Sequence, residues 1–265
     1  MTEDAHDQLA AAYSSAGTAW ARGPARIYGR LAELLVQSAP VPLSGRLMCD
    51  VGAGTGVASA ALAHAGARVV AADVAAGMLL HEREQRPPSV VADARALPFR
   101  DDSFDGLVAA YCYNHLVEPV EGLAEARRIC APGSPVLVSS YAADDTHPVK
   151  EAVDRALGEL GWAQPEFIGR LREEAIPKLA TVDRCREAAL AAGFRDIDVE
   201  ALRVPFPELT AEQLVEWRTG MAQTAWFVDA LTPEQRVGLE ARAVELLGPN
   251  SAPLARSVIH LVAVC

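Results

Sequence analysis

The chain has no lysine before Lys150, and its 24 Lys and Arg face 35 Asp and Glu, a net charge of −11 over 265 residues. Such a surface repels polyanions, which argues against nucleic acid as a partner. Arg22, Arg26 and Arg30, at four-residue spacing on one helical face, are the exception. No stretch approaches 18 uncharged apolar residues, so no transmembrane helix is expected. The start, M-T-E-D-A-H-D, is acidic where a secretory leader would be basic, and a cytoplasmic location is expected. Cys49, Cys112, Cys130, Cys185 and Cys265 are odd in number and form no C-x-x-C pair, which speaks against disulfides and a zinc site. Aromatic residues make up only 6%.

Against these absences stands one dense motif. Leu47 to Val51 is an apolar stretch running into D-V-G-A-G-T-G, Asp50 to Gly56, and helix formers follow from Thr55 to Ala65. A strand, a glycine turn and a helix make the first half of a nucleotide-binding βαβ unit, because a turn without Cβ atoms lets backbone amides approach a ligand. The spacing is G-x-G-x-G. A dinucleotide fingerprint needs a third glycine at 57, which is Val, and a phosphate-binding P-loop needs a Lys-Ser/Thr pair that is missing. The next strand, Arg68 to Ala72, ends at Asp73, where a carboxylate can accept hydrogen bonds from ribose hydroxyls. A third strand, Ser89 to Ala92, ends at Asp93.

In this order the motifs resemble the class I S-adenosylmethionine-dependent methyltransferases, and L-P-F-R-D-D-S-F-D-G-L-V, Leu97 to Val108, resembles the branch of ubiquinone and menaquinone biosynthesis and of small-molecule, natural-product methyltransferases. The resemblance covers about Leu47 to Tyr141 well, Val182 to Leu202 moderately and the remainder poorly. It implies S-adenosyl-L-methionine as cofactor, S-adenosyl-L-homocysteine as product, and cofactor contacts from Asp50, Gly52, Ala53, Gly54, Gly56, Asp73, Val74, Met78, Asp93, Ala94 and Tyr111. Within that set Asp73 resembles the ribose-binding acid, Met78 the apolar cover of the adenine, and Asp93-Ala94 the contact to its amino group. The Asn-Pro-Pro-aromatic and Pro-Cys signatures of DNA base methylation in such families are absent.

Alternating strands and helices predict an α/β fold with a mostly parallel sheet covered on both faces. The resemblance makes it Rossmann-like and seven-stranded, ordered 3-2-1-4-5-7-6. Residues 1–45 are expected to form an N-terminal helical arm and 46–265 the core, with helical insertions at about 142–180 and 205–253. The first insertion leaves the carboxyl end of the fifth strand, where ligands bind, and is the expected lid and substrate-selecting element. Tyr13 and Tyr28 on the arm, with Trp162 and Phe167 in the insertion, are candidate substrate contacts, and Trp217, Trp226 and Phe227 further apolar walls.

An activated methyl group asks the protein mainly to align a nucleophile and exclude water, and only some acceptors need a general base. His115 in Y-C-Y-N-H-L is the first candidate base, since a free imidazole titrates near pH 6.5; His147 in A-A-D-D-T-H-P is the second. Asn114, Asp144 and Asp145 match loosely the positions that hold Mg²⁺ in catechol-type enzymes, but the preceding motifs resemble a metal-free branch, and no metal is expected. The leading expectation is methylation of a small, apolar or aromatic metabolite at O, N or C, by a monomer or homodimer. A non-methylating enzyme such as a cyclase on the same cofactor fold, and a nicotinamide-dependent oxidoreductase, are the alternatives.

Overall fold

Met48 and Cys49, Leu107 and Val108, Val136 and Leu137 are consecutive apolar pairs, and each pair divides between two separate hydrophobic clusters. Side chains of a strand alternate between faces, so runs without alternation are those of strands covered on both sides. In the computed structural model, which describes residues 3–265 with side chains from His6 onward, they form one sheet. Two helices open the chain, α1 (Glu3–Arg22) and α2 (Pro24–Gln37). There follow β1 (Leu47–Val51), α3 (Val57–His64), β2 (Arg68–Asp73), α4 (Ala76–Leu80), β3 (Ser89–Val91), β4 (Gly106–Ala110), α5 (Pro119–Ile129) and β5 (Pro135–Tyr141). The second half contributes α6 (Pro148–Glu159), α7 (Glu166–Arg170), α8 (Val182–Ala191), β6 (Asp196–Phe206), α9 (Ala211–Thr219), α10 (Ala222–Ala230), α11 (Pro233–Leu247) and β7 (Leu254–Val264).

The strand order is β3-β2-β1-β4-β5-β7-β6, as the motifs led one to expect. Strands β1 to β5 are parallel, and β7 inserts antiparallel between β5 and β6. Helices α2 and α3 cover one face through Leu35, Ala58 and Leu62; α5 and α8 cover the other through Leu123, Ala126 and Ala189. The segment Leu97 to Val108 is fixed by Arg128 of α5, which donates to Glu125, Asp101 and the carbonyls of Leu97 and Phe99. Asp105 Oδ2 accepts from the amide of Leu47 at 2.8 Å, so this segment also sets where β1 begins.

Above the carboxyl ends of the strands the helices gather into a cap. Helix α1 packs on α4, α7, α9 and α10, while α6 packs on α9 and α11, so both insertions meet the arm. Gly77 makes the closest of these junctions: a Cβ there would collide with the carbonyl of Ser14 on α1. Helix α4 stops at Leu80, because Glu82 turns left-handed (φ 48°) and a single 3₁₀ turn follows. Helix α7 continues into a π-turn at Leu171–Ala175. Helix α10 starts without a side-chain cap and has a weak amphipathic pattern. Among the described residues no helix is long and apolar enough to cross a membrane.

Candidate cofactor and acceptor site

The glycine turn leaves β1 with three left-handed residues, Gly52 (φ 70°), Gly54 (φ 52°) and Gly56 (φ 97°), a region costly for residues with a Cβ. The amides of Gly52 and Ala53 donate to Ala72 O, at 2.8 and 3.2 Å, which ties the turn to the tip of β2. A Cβ on Gly52 would lie 2.5 Å from the Cβ and Sγ of Cys112, whereas one on Gly54 would meet nothing within 4 Å. Gly52 is thus demanded by packing. Gly54 leaves open space on the side where a Cβ would stand.

Asp73, at the end of β2, accepts from the Gly54 amide through Oδ2 and from the Ala75 amide through Oδ1, each at 2.7 Å. Burial pushes its carboxyl up, and the two amides oppose that. Arg86 donates to the carbonyls of Gly54 and Met78, holding turn and α4 together from behind. Asp50 lies fully buried beneath the turn; Ser59 Oγ donates to its Oδ2 at 2.6 Å, Oδ1 has no partner, and burial pushes its pKa up to about 6. Asp93 is gripped by Arg95 at 2.6–3.2 Å, with His6 of α1 at 3.5 Å.

These elements border one cavity of about 510 Å³ at the carboxyl ends of β1, β2, β4 and β5. Of the residues expected from the sequence, the structure places Gly52, Ala53, Gly54, Asp73, Val74, Met78, Asp93, Ala94 and Tyr111 on its wall, together with Tyr13, Tyr28, Trp217 and His115. Asp50 and Gly56 sit behind the wall, shaping the turn. His147 does not reach the cavity: its Nδ1 accepts from the Val149 amide, capping α6, and its Nε2 meets Ala252 O at 2.9 Å. Trp162 and Phe167 also stay off the wall, and Trp162 Nε1 donates to Gln223 O.

The far wall is a ladder of rings. Tyr13 meets His115 edge-on (5.6 Å between centroids) and Trp20 (5.4 Å); Trp20 meets Tyr28 (5.0 Å); Tyr28 meets Tyr111 (5.3 Å), which stacks on Tyr141 (4.5 Å). Tyr111 holds a left-handed backbone (φ 55°), strained for a residue with a large side chain. His115 is enclosed by apolar surroundings, with Nε2 3.4 Å from Tyr13 Oη and Nδ1 without a partner. Its imidazole is therefore no free one: burial lowers its pKa to about 4. Beyond the ladder stand polar residues that sequence reasoning did not assign to the site, Lys150, Arg172, Arg218 and Arg256. Arg256 carries a visible signal, a lone charge inside the apolar strand L-A-R-S-V-I-H-L-V-A-V. Asp145, one of the loosely matched Mg²⁺ positions, is occupied by cations instead, Arg256 at 2.8 Å and Lys150 at 3.0 Å. Among the described residues no three His, Cys, Asp or Glu side chains gather as a ligand set for a metal ion.

An adenosyl amino acid fits what is present. The open face at Gly54, the acid at 73 and the apolar floor at Met78 border one continuous space. Comparison with known proteins agrees. Residues 49–138 match the methyltransferase domain family. The demethylmenaquinone methyltransferase of Clavibacter sepedonicus is 35% identical over 153 residues, which cover 56% of this chain and 61% of that one. The chain thus spans less than two thirds of the length of the curated relatives it matches. In fold it is similar to phosphoethanolamine N-methyltransferase 2 of Haemonchus contortus in complex with S-adenosyl-L-methionine (TM-score 0.54, 20% identity, 89% of this chain and 52% of that one). It is likewise similar to the [4+2]-cyclase SpnF (TM-score 0.54, 20% identity, 89% and 80%). The ordered motifs and the 3-2-1-4-5-7-6 sheet agree with this: the chain carries, over residues 49–138, a match to the methyltransferase domain family and is there similar to the demethylmenaquinone methyltransferases.

Proposed function

We propose that this protein transfers the methyl group of S-adenosylmethionine to a small acceptor held between the glycine turn and the ring ladder. The observation that carries this reading is the continuity of the cavity, which joins Gly52, Gly54 and Asp73 at one end to Tyr28, Tyr111 and Tyr141 at the other. When bound, the cofactor supplies an electrophilic methyl carbon on a sulfonium. The bare Cα face of Gly54 would let the cofactor's amino-acid portion approach the turn, the carboxylate of Asp73 would accept from its ribose hydroxyls, Met78 and Ala94 would cover the base, and the acid at 93 would meet the adenine amino group. The protein's part is then to hold the acceptor in line and keep water out, and the helical cap does this with Tyr13, Trp20 and Tyr28.

His115, kept neutral by burial, has one ring nitrogen free to take a hydrogen bond from the acceptor, and it is a weak base. Catalysis therefore rests mainly on proximity and orientation. The acceptor is a small metabolite with an apolar or aromatic body, because the wall that meets it is mostly rings; the quinone-type substrate named for the demethylmenaquinone methyltransferases has such a body. No step calls for a metal, since the carboxylate of Asp145 is already matched by Arg256 and Lys150. The fold also carries the cyclase SpnF, so the decisive test is stoichiometry. Incubation with S-adenosylmethionine and candidate acceptors in excess EDTA should yield S-adenosylhomocysteine in a one-to-one ratio with methylated product. Product formed without S-adenosylhomocysteine would assign the chain to non-methylating chemistry.

A further inference from the structure

Arg256 is 2% exposed, and it is the one charged residue of a mostly apolar buried strand. Its Nε and Nη2 are fixed by Asp145, at 2.9 Å to Oδ1 and 2.8 Å to Oδ2. Its guanidinium lies 4.1 Å from the centroid of Tyr141 and 4.7 Å from that of Trp217, so the plane cannot swing. The remaining nitrogen, Nη1, is buried without a hydrogen-bond partner. So are Trp217 Nε1 and the hydroxyls of Tyr111 and Tyr141, and all four residues border the cavity. A buried donor left unpaired costs about 1–3 kcal/mol, more when charged, and several at one place call for an acceptor from outside the protein.

The local charge has a sign. Asp145 faces two cations, Arg256 and Lys150, which leaves one positive charge unmatched. Nearby, Arg218 is neutralised by a bidentate contact to Asp154, and Arg172 also reaches the wall. Burial holds the Tyr111 and Tyr141 phenols neutral, against the pull of Arg256, so each retains a hydroxyl proton to donate. The Tyr28 hydroxyl lies near both Arg256 and the Tyr141 hydroxyl and interacts with each, yet Nη1 and the Tyr141 hydroxyl remain without a partner in hydrogen-bond geometry.

Building on the methyl-transfer reading, we propose that Arg256 Nη1, Trp217 Nε1 and the Tyr111 and Tyr141 hydroxyls form an anion subsite, and that the acceptor carries a single carboxylate docked there. One free guanidinium nitrogen, with the single charge left over in the Arg256–Lys150–Asp145 group, suits a monoanion, and the surrounding rings suit a planar body behind it. The carboxylate binds at the end remote from the glycine turn, so it orients the acceptor and leaves its other end to meet the methyl group.

The test uses the full chain saturated with S-adenosylhomocysteine and measures retention of benzoate, cinnamate and 2-naphthoate against their carboxamides by calorimetry. At least one acid should bind about tenfold more tightly than its amide, the worth of one hydrogen bond to a charged group. Trp217→Phe and Tyr141→Phe, which remove a donor and keep the ring, should each narrow that preference, as should the charge-balanced pair Arg256→Gln with Asp145→Asn. S-adenosylhomocysteine affinity should stay unchanged in all three variants. Equal retention of acids and amides, or of neither by protein that binds S-adenosylhomocysteine, overturns the subsite. Failure of the wild-type chain to bind S-adenosylhomocysteine at all overturns the methyl-transfer reading itself.

Discussion

Beneath the glycine turn, the carboxylates of Asp73 and Asp93 find partners within the protein, in the amides of Gly54 and Ala75 and the guanidinium of Arg95. Beside β5 and β7 the reverse holds, and the donors of Arg256, Trp217, Tyr111 and Tyr141 stand unmatched. At the first end the carboxylates on the wall are paired before any ligand arrives, because they organise a backbone loop, and the unpaired Asp50 Oδ1 lies behind the wall. The second is held rigid by rings and an ion pair but is electrically unfinished. A site of the first kind binds one invariant molecule; a site of the second kind selects among partners, since an acceptor lacking the matching group leaves buried donors stranded.

The contrast is broken most severely at the unfinished end. Arg256→Gln alone should destabilise the chain by about 3–5 kcal/mol in denaturant titrations, because it leaves Asp145 buried with only Lys150. The paired Asp145→Asn should restore most of that. At the complete end, Gly52→Ala adds a Cβ against Cys112 at a left-handed residue, and should cost about 2–4 kcal/mol together with loss of S-adenosylhomocysteine binding. Gly54→Ala, facing open space, should lower stability by only about 1–2 kcal/mol while still weakening the cofactor. Asp73→Asn turns one acceptor toward a backbone N–H as a donor, and should reduce S-adenosylhomocysteine affinity about ten- to a hundredfold by calorimetry.

Acidification gives the smallest effect. His115 and His260, with pKa values lowered by burial to about 4, bind fewer protons folded than unfolded between pH 4 and 6.5. Stability therefore falls as pH drops through that window. Asp50, raised by burial to about 6, binds more protons folded than unfolded and opposes them. The net slope expected from urea titrations is about 1 kcal/mol per pH unit between pH 4.5 and 6, and Asp50→Asn should roughly double it. Within pH 6 to 9 turnover should show no inflection from His115.

The difference between the two ends also explains what could be read beforehand. The turn and the acids at 73 and 93 lie within one βαβ unit and the strand after it, so local spacing reveals them. Strand positions were legible for the same reason, since apolar runs such as Val136 to Val138 must be buried on both faces. Arg256, Asp145, Trp217, Tyr111 and Tyr28 come from five separate elements and loops, and no sequence period connects them. Trp162 and Phe167 misled as wall residues because a large apolar side chain in an insertion reads alike whether it faces the cavity or, as Trp162 does, bonds to Gln223 in the packed cap. His147 misled because a histidine after a strand serves equally well as a helix cap.

The collision that a Cβ at Gly77 would make with Ser14 means that the roof of the cavity rests directly on the element carrying Met78. A molecule lying on Met78 and touching Tyr13 or Trp20 is therefore clasped by two surfaces already pressed together, and it makes those contacts only while α1 is seated. By linkage, whatever free energy the seated helix lends to the guest, the guest returns in keeping that helix down.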